Sequence, residues 1–187
     1  MIKKRYAACI LVIAAALVTI ALMLMVSHKS AVNDPALVAE KIENILPPLS
    51  QGTKESRYYT EMPMMNIDGS DYVGILQVPS GNIKLPVYSH WDESCAMCVP
   101  CRYSGSIYND DLIIGGQNDN NSLGFLTSLN IGDTITFTDM LGRVYSYKVG
   151  SVCHKTDYVP DTVGSGEGLL LFSYLSDVSR YIFVVCK

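Results

Sequence analysis

The chain has 187 residues, with 14 Lys and Arg against 18 Asp and Glu and a formal net charge of −4. Lys3, Lys4 and Arg5 stand at its start and every acid lies beyond position 28, so the chain beyond its first segment is the more acidic part. That balance argues against nucleic acid as a partner, which needs a basic face, and against tight docking on anionic lipid.

An uncharged apolar run from about Tyr6 to Ser27 comes after the basic cluster, close to the roughly 20 residues that cross a bilayer core. Positive charge before such a run predicts a cytoplasmic N-terminus and an extracytoplasmic remainder. A cleaved signal peptide begins in the same way, but this run is too long for an ordinary apolar h-region and no clean A-x-A site comes after it. The reading is a single-pass cell-membrane protein, with a cytoplasmic tail over 1–5 and an uncleaved anchor over 6–27.

Asp34 can cap a helix that begins at Pro35, where a missing N–H costs nothing. Leu37, Val38, Ile42, Ile45 and Leu46 form a one-sided apolar stripe, and Pro47-Pro48 stops the helix. From Leu49 to Ser70 the composition is polar and irregular. Residues 28–70 therefore read as stem helix and linker, and the folded domain is expected over 71–187.

From there the signals are those of strands. Tyr72 to Val78 is ended by Pro79-Ser80-Gly81, and Ile83 to Tyr88 carries Pro86, a mark of an edge or a bulge. A cysteine-rich loop is expected from Ser89 to Ser106, and a short helical turn over Leu123 to Leu129. Thr134 to Asp139 and Arg143 to Val152 alternate around Met140-Leu141-Gly142 and predict a hairpin. After a loop from His154 to Gly168 come two last strands, Leu169 to Ser173 and Tyr181 to Val185. Seven short strands with little helix predict a mainly β fold, a small and mostly closed barrel.

Between the loop and the turn lies DLIIGGQN, Asp111 to Asn118. Leu112, Ile113 and Ile114 are apolar on both faces, as in a strand buried from both sides. Gly115 and Gly116 let the backbone approach another segment closely. Just past such a strand end a rigid scaffold presents chemistry, and the side chain there is Gln117. Cys95, Cys98, Cys101, Cys153 and Cys186 lie beyond the anchor, and an exported location makes all five disulfide candidates.

The strings YVGILQVPSGNIKLPV, PCRYSGS, DLIIGGQN and LGFLTSLNIGDTITFTDMLGRVYSYKV, then two apolar strands, resemble a sortase from about Asp71 to the end. Sortases are membrane-anchored cysteine transpeptidases of Gram-positive bacteria. The resemblance implies a closed β-barrel of about eight strands with short helices, preceded here by a transmembrane helix and a stem helix. It also implies a substrate, the sorting signal of a secreted protein, which is cut and joined to an amine of the cell wall or of a pilin. No cofactor is implied.

The family's chemistry uses a histidine in an A-G-H-N-like motif, a cysteine in a T-L-x-T-C-like motif and an arginine near the start of the last strand. Carried over, the histidine falls on Gln117, the cysteine on Tyr174 and the preceding threonine on Ser173. Arg180 is the candidate retained arginine, although an ungapped match lands on Tyr181. An amide cannot shuttle a proton near neutral pH, and a tyrosine with a pKa of about 10 stays protonated there. The pattern points to a sortase homologue without transpeptidase activity, binding a sorting signal, a pilin or a partner sortase at the cell surface.

Two other readings compete. One is an active peptidase or transpeptidase with a relocated nucleophile: Ser173 or a cysteine, with His90 or His154 as a displaced base. Strand alternation sets Ser173 and Tyr174 on opposite faces, so if Tyr174 faces the cleft, Ser173 points into the barrel. The other is a thiol-redox or metal module on Cys95, Cys98 and Cys101, whose C-x2-C-x2-C spacing lacks a nearby fourth ligand. Asp68, Asp71, Asp92, Glu93, Asp110, Asp111 and Asp119 have no calcium-loop spacing and read as solvated acids, so no metal site is expected. The 12 tyrosines could line a peptide groove, but strand propensity accounts for most of them.

Overall fold

A computed structural model describes residues 16–19, 34–52, 61–156, 168–175 and 180–187. The expected anchor over 6–27 lies outside these residues apart from 16–19. Among the described residues no helix is long and apolar enough to cross a membrane. Pro35–Lys187 form one compact unit and Met1–Asp34 another.

Ten strands appear in the order β1 (Ser50–Gln51), β2 (Met65–Ile67), β3 (Ser70–Val78), β4 (Ile83–Tyr88), β5 (Cys101–Ser104), β6 (Asp111–Gln117), β7 (Thr134–Asp139), β8 (Arg143–Thr156), β9 (Gly168–Leu175) and β10 (Arg180–Cys186). Eight of them close a ring: β3–β4–β5–β6–β9–β10–β8–β7 and back to β3. β1 and β2 add to its outside, on β8 and β3. Within the ring, β4–β5 and β6–β9 are parallel pairs. Closure removes the free edges that an open sheet of this size would expose.

The mainly β barrel expected from the sequence is present, with one strand more than the alternating runs gave. β5 lies inside the expected cysteine loop. It has four residues, no alternation, and pairing to β6 interrupted by a bulge between Arg102 and Ser104. β4 meets β5 only at Tyr88 and Cys101. Pro86, paired to Ile75 of β3, thus lies on a strand whose other neighbour meets it at one residue pair, close to an edge.

Alternation divides the side chains into two sets. Leu112 and Ile114 of β6, Leu169 and Leu171 of β9, and Ile182 and Val184 of β10 fill the barrel together with Ile135, Phe137 and Val149. Ile113, Leu170, Phe172 and Phe183 form a second cluster on the outer face. β6 is thus buried on both faces, the condition its unbroken apolar run predicted.

Helix α1, Pro35–Ile45, packs Val38 and Ile42 on Ile67, Tyr72, Ile75 and Met140 outside the barrel. The expected stripe is narrower than its sequence: Leu37 and Ile45 are exposed, and Ala39 joins Val38 and Ile42 in the contact. The segment expected as linker supplies β2 and buries Met62 and Ile67. These apolar residues are spaced too far apart to show a period.

Candidate functional site

The cleft face is built where β6, β9 and β10 run side by side. Gln117 pairs with Tyr174, and Tyr174 pairs with Tyr181. Paired residues point to the same side of a sheet, so these three side chains form one row. The next row of the same parity is Gly115, Phe172 and Phe183. Backbone hydrogen bonds hold the end of the first row: Asn118 N donates to Tyr174 O at 3.0 Å and Leu123 N donates to Gln117 O at 3.0 Å. A turn then leads away, with Asp119 Oδ1 accepting from the N–H groups of Asn121 and Ser122.

Over these rows lies a continuous aromatic cluster. Trp91 is 5.3 Å from Tyr103, 5.7 Å from Phe172 and 6.2 Å from Tyr174, measured between ring centroids. Phe172 stacks on Phe183 at 6.0 Å, and Phe183 on Tyr181 at 6.0 Å. Such pairs contribute about 0.5–1.5 kcal/mol each beyond area burial. Phe172 and Phe183 are buried, while Trp91, Tyr103, Tyr174 and Tyr181 are half-buried and present ring surface to the cleft. The sequence held a signal for part of this set, since Leu170, Phe172 and Tyr174 alternate. Trp91 and Tyr103 come from the loop and from β5, where no period marks them.

The two glycines show why the cleft has this floor. A Cβ on Gly115 would lie 2.2 Å from the Phe172 ring, and one on Gly116 would lie 2.3 Å from Ser122 Oγ. Both are closer than real Cβ contacts allow, so the Phe172 ring can lie flat on β6 only because position 115 is bare.

Burial pushes the Tyr174 phenol above its ordinary value, and neighbouring acidic groups, Glu93 and Asp119 among them, push it further the same way. Ser173 is completely buried, shares its row with Gly116 and Ile182, and so points into the barrel. Among the described residues its hydroxyl has no hydrogen-bond partner, and so no base within reach. Arg180 pairs with Leu175 and Thr156, one residue out of the Gln117–Tyr174–Tyr181 row. The structure therefore brings Gln117, Tyr174 and Tyr181 together and sets Ser173 and Arg180 apart from them. His90 is exposed, 3.0 Å from Ser89 Oγ and packed on the Tyr88 ring. His154 is exposed on β8, opposite Ile182.

The disulfide candidates need correction, because Cys95, Cys98, Cys101, Cys153 and Cys186 are all free thiols. Cys186 is packed in the barrel core, whereas Cys153 pairs with Phe183 on the opposite face, so these two cannot meet. Burial pushes the thiols of Cys101 and Cys186 up to about 12. Burial and the Asp92 carboxylate push Cys95 up as well. A redox or nucleophilic cysteine needs the reverse shift. Among the described residues no three His, Cys, Asp or Glu side chains gather into a metal site.

The closed eight-stranded barrel has a sortase-like fold. The chain is similar to a Clostridium perfringens sortase D5 transpeptidase, at TM-score 0.59 and 13% identity over 84% of this chain and 98% of that one. It is similar to sortase C1 from Streptococcus agalactiae, at TM-score 0.55 and 22% identity over 72% and 76% of the two chains. A third likeness is to Clostridium perfringens sortase C, solved with the C-terminal cell wall sorting motif, at TM-score 0.53 and 16% identity over 71% and 80%. No protein-family profile and no curated protein sequence matches the chain. Identities this low establish the fold and leave the chemistry to the residues present.

Proposed function

We propose that this chain is a membrane-anchored, extracytoplasmic sortase-fold protein that binds a peptide in its aromatic cleft without cleaving it. The row Gln117–Tyr174–Tyr181 carries the reading. Gln117 and Tyr174 stand where the family resemblance puts the histidine and the cysteine. An amide moves no proton near neutral pH, and a phenol held above its ordinary range is a poor nucleophile. The neighbouring thiols of Cys95 and Cys101 are held protonated, and Ser173 faces away.

What remains is contact surface. Trp91, Tyr103, Tyr174 and Tyr181 offer rigid rings with polar tips, which bind extended chains at low entropic cost. The similar sortase C that was solved with a cell wall sorting motif sets the choice of ligand. The proposed occupant is a sorting-signal peptide, delivered by a pilin or shared with an active sortase. The chain would then act as a scaffold or decoy at the surface of a Gram-positive cell.

Trp91 is the sole tryptophan of the chain and lies against Tyr174, so its fluorescence reports on the cleft. Titration with a sorting-signal peptide is expected to change that fluorescence saturably. Incubation with the same peptide and an amine acceptor is expected to leave the peptide intact. Turnover that disappears when Ser173 or one of the cysteines is substituted would overturn the proposal.

A further inference from the structure

Arg180 stands one residue outside the Gln117–Tyr174–Tyr181 row. Its strand neighbours are Thr156 and Leu175, and the next residues of its own parity on β10, Ile182 and Val184, belong to the barrel core. Its Cβ therefore projects on the interior side of the sheet, at the barrel's mouth. A cavity of about 530 Å³ opens there, bounded by Arg180, Lys155, His154, Thr156 and Asn118 over a floor of Ile182. Thr127, from the short helical turn Gly124–Ser128, lines it as well.

The lining is one-sided in charge. It holds the Arg180 guanidinium, an imidazole and three neutral hydrogen-bonding side chains, with Lys155 at its edge on the strand position paired to Tyr181, and no carboxylate among the described residues. In a chain with 18 acids and 14 bases this is a local reversal. A concave site lined with one sign of charge concentrates ions of the other. Arg180 makes no ion pair with the described residues, so its planar fork is available for bidentate contact with an oxyanion. The volume falls within the usual range of small-ligand sites, and the buried Ile182 side chain contributes to its lining.

We infer that this cavity binds a small oxyanion, a carboxylate or a phosphate, with Arg180 as its principal contact and His154, paired with Ile182, beside it. The site lies on the other face of β10 from the aromatic cleft and stands whether or not the cleft binds peptide.

The test is calorimetric titration of the full chain in non-ionic detergent, with inorganic phosphate in one arm and succinate in the other. Binding with a Kd of about 1 mM or tighter is expected in at least one arm. Binding in the phosphate arm alone assigns phosphate, in the succinate arm alone a carboxylate, and in both a general oxyanion site. Arg180→Gln should weaken binding by about tenfold or more, because the bidentate contact is lost. Lys84→Gln removes an equal charge at the Glu43 ion pair, outside the cavity, and should leave binding unchanged. Arg180 is exposed, so its variant is expected to keep the wild-type unfolding transition, which circular dichroism checks. The inference is overturned by no binding in either arm, by binding that Arg180→Gln leaves intact, or by equal losses in the two variants. Trp91 fluorescence reads the cleft independently, so failure of one proposal is distinguishable from failure of the other.

Discussion

Gly115→Ala is the sharpest test of how the cleft floor is packed. The added Cβ would lie 2.2–2.8 Å from three carbons of the Phe172 ring. That ring is 2% exposed and held by Trp91, Tyr103 and Phe183 at centroid distances of 5.7, 5.3 and 6.0 Å, so it has nowhere to swing. Overpacking of this kind costs about 1–3 kcal/mol, against a gain of about 0.4–1 kcal/mol from the stiffer unfolded chain. Phe172→Leu alone loses ring contacts, for about 1–3 kcal/mol. In the double variant the methyl occupies space that the ring vacated, so the two losses should fall short of their sum by about 1–2 kcal/mol. The assay is urea unfolding of the Pro35–Lys187 unit, monitored by far-ultraviolet circular dichroism. Losses that add to within about 0.5 kcal/mol would refute the claim that the bare backbone at 115 exists to seat Phe172.

The remaining expectations concern the buried polar groups and the cleft. Asp139 is fully buried, accepting from Tyr108 Oη and from the N–H groups of Leu141 and Arg143, each at 2.9 Å. Asp139→Ala strands those donors and should cost about 3 kcal/mol or more, while Tyr108→Phe should cost less; urea midpoints rank them. The thiols of Cys101 and Cys186, held up to about 12 by burial, are protonated in the folded state at pH values where the unfolded chain ionises. Their contribution is whole below a pH of about 8.5 and is lost as pH rises toward 12, so stability should fall over that window, and less steeply in Cys186→Ala. Thiol labelling of the native Pro35–Lys187 unit should reach the exposed Cys98 and Cys153 first, and Cys101 and Cys186 only on unfolding. Tyr174→Ala removes the ring against Trp91 and should weaken sorting-peptide binding by about tenfold in the fluorescence titration, whereas Tyr174→Phe should change it little.

The barrel was legible because its strands announce themselves by alternation. β6 was plain from three apolar residues in a row, and the β7–β8 hairpin from two alternating runs around Met140-Leu141-Gly142. β5 was not, because four residues held by a bulged pairing leave no period to read. The free thiols were hidden for another reason: export favours disulfides, but pairing depends on which face each strand turns, and Cys153 and Cys186 face opposite ways. Arg180 and Tyr181 could not be ordered from sequence, since RYIFVVC is apolar at both parities and a slip of one residue reverses every side chain. Cross-strand pairing with Tyr174 puts Tyr181 in the cleft row.

The same parity separates the residues that hold the fold from those of the proposed peptide-binding row. Leu169, Leu171, Ile182, Val184 and Cys186 face the interior, and each meets residues from several strands, so substitution there leaves cavities or clashes. Tyr174 and Tyr181 belong to the outward set, at the rim end of their strands. There the interior imposes nothing, and the chief constraint on Tyr174 is the Trp91 ring above it. A tyrosine satisfies that contact as a cysteine could not, adding ring area to a cluster that already holds Phe172 and Phe183. Tyr174 thus extends the aromatic surface, and under the proposed function the row it shares with Gln117 would hold the peptide.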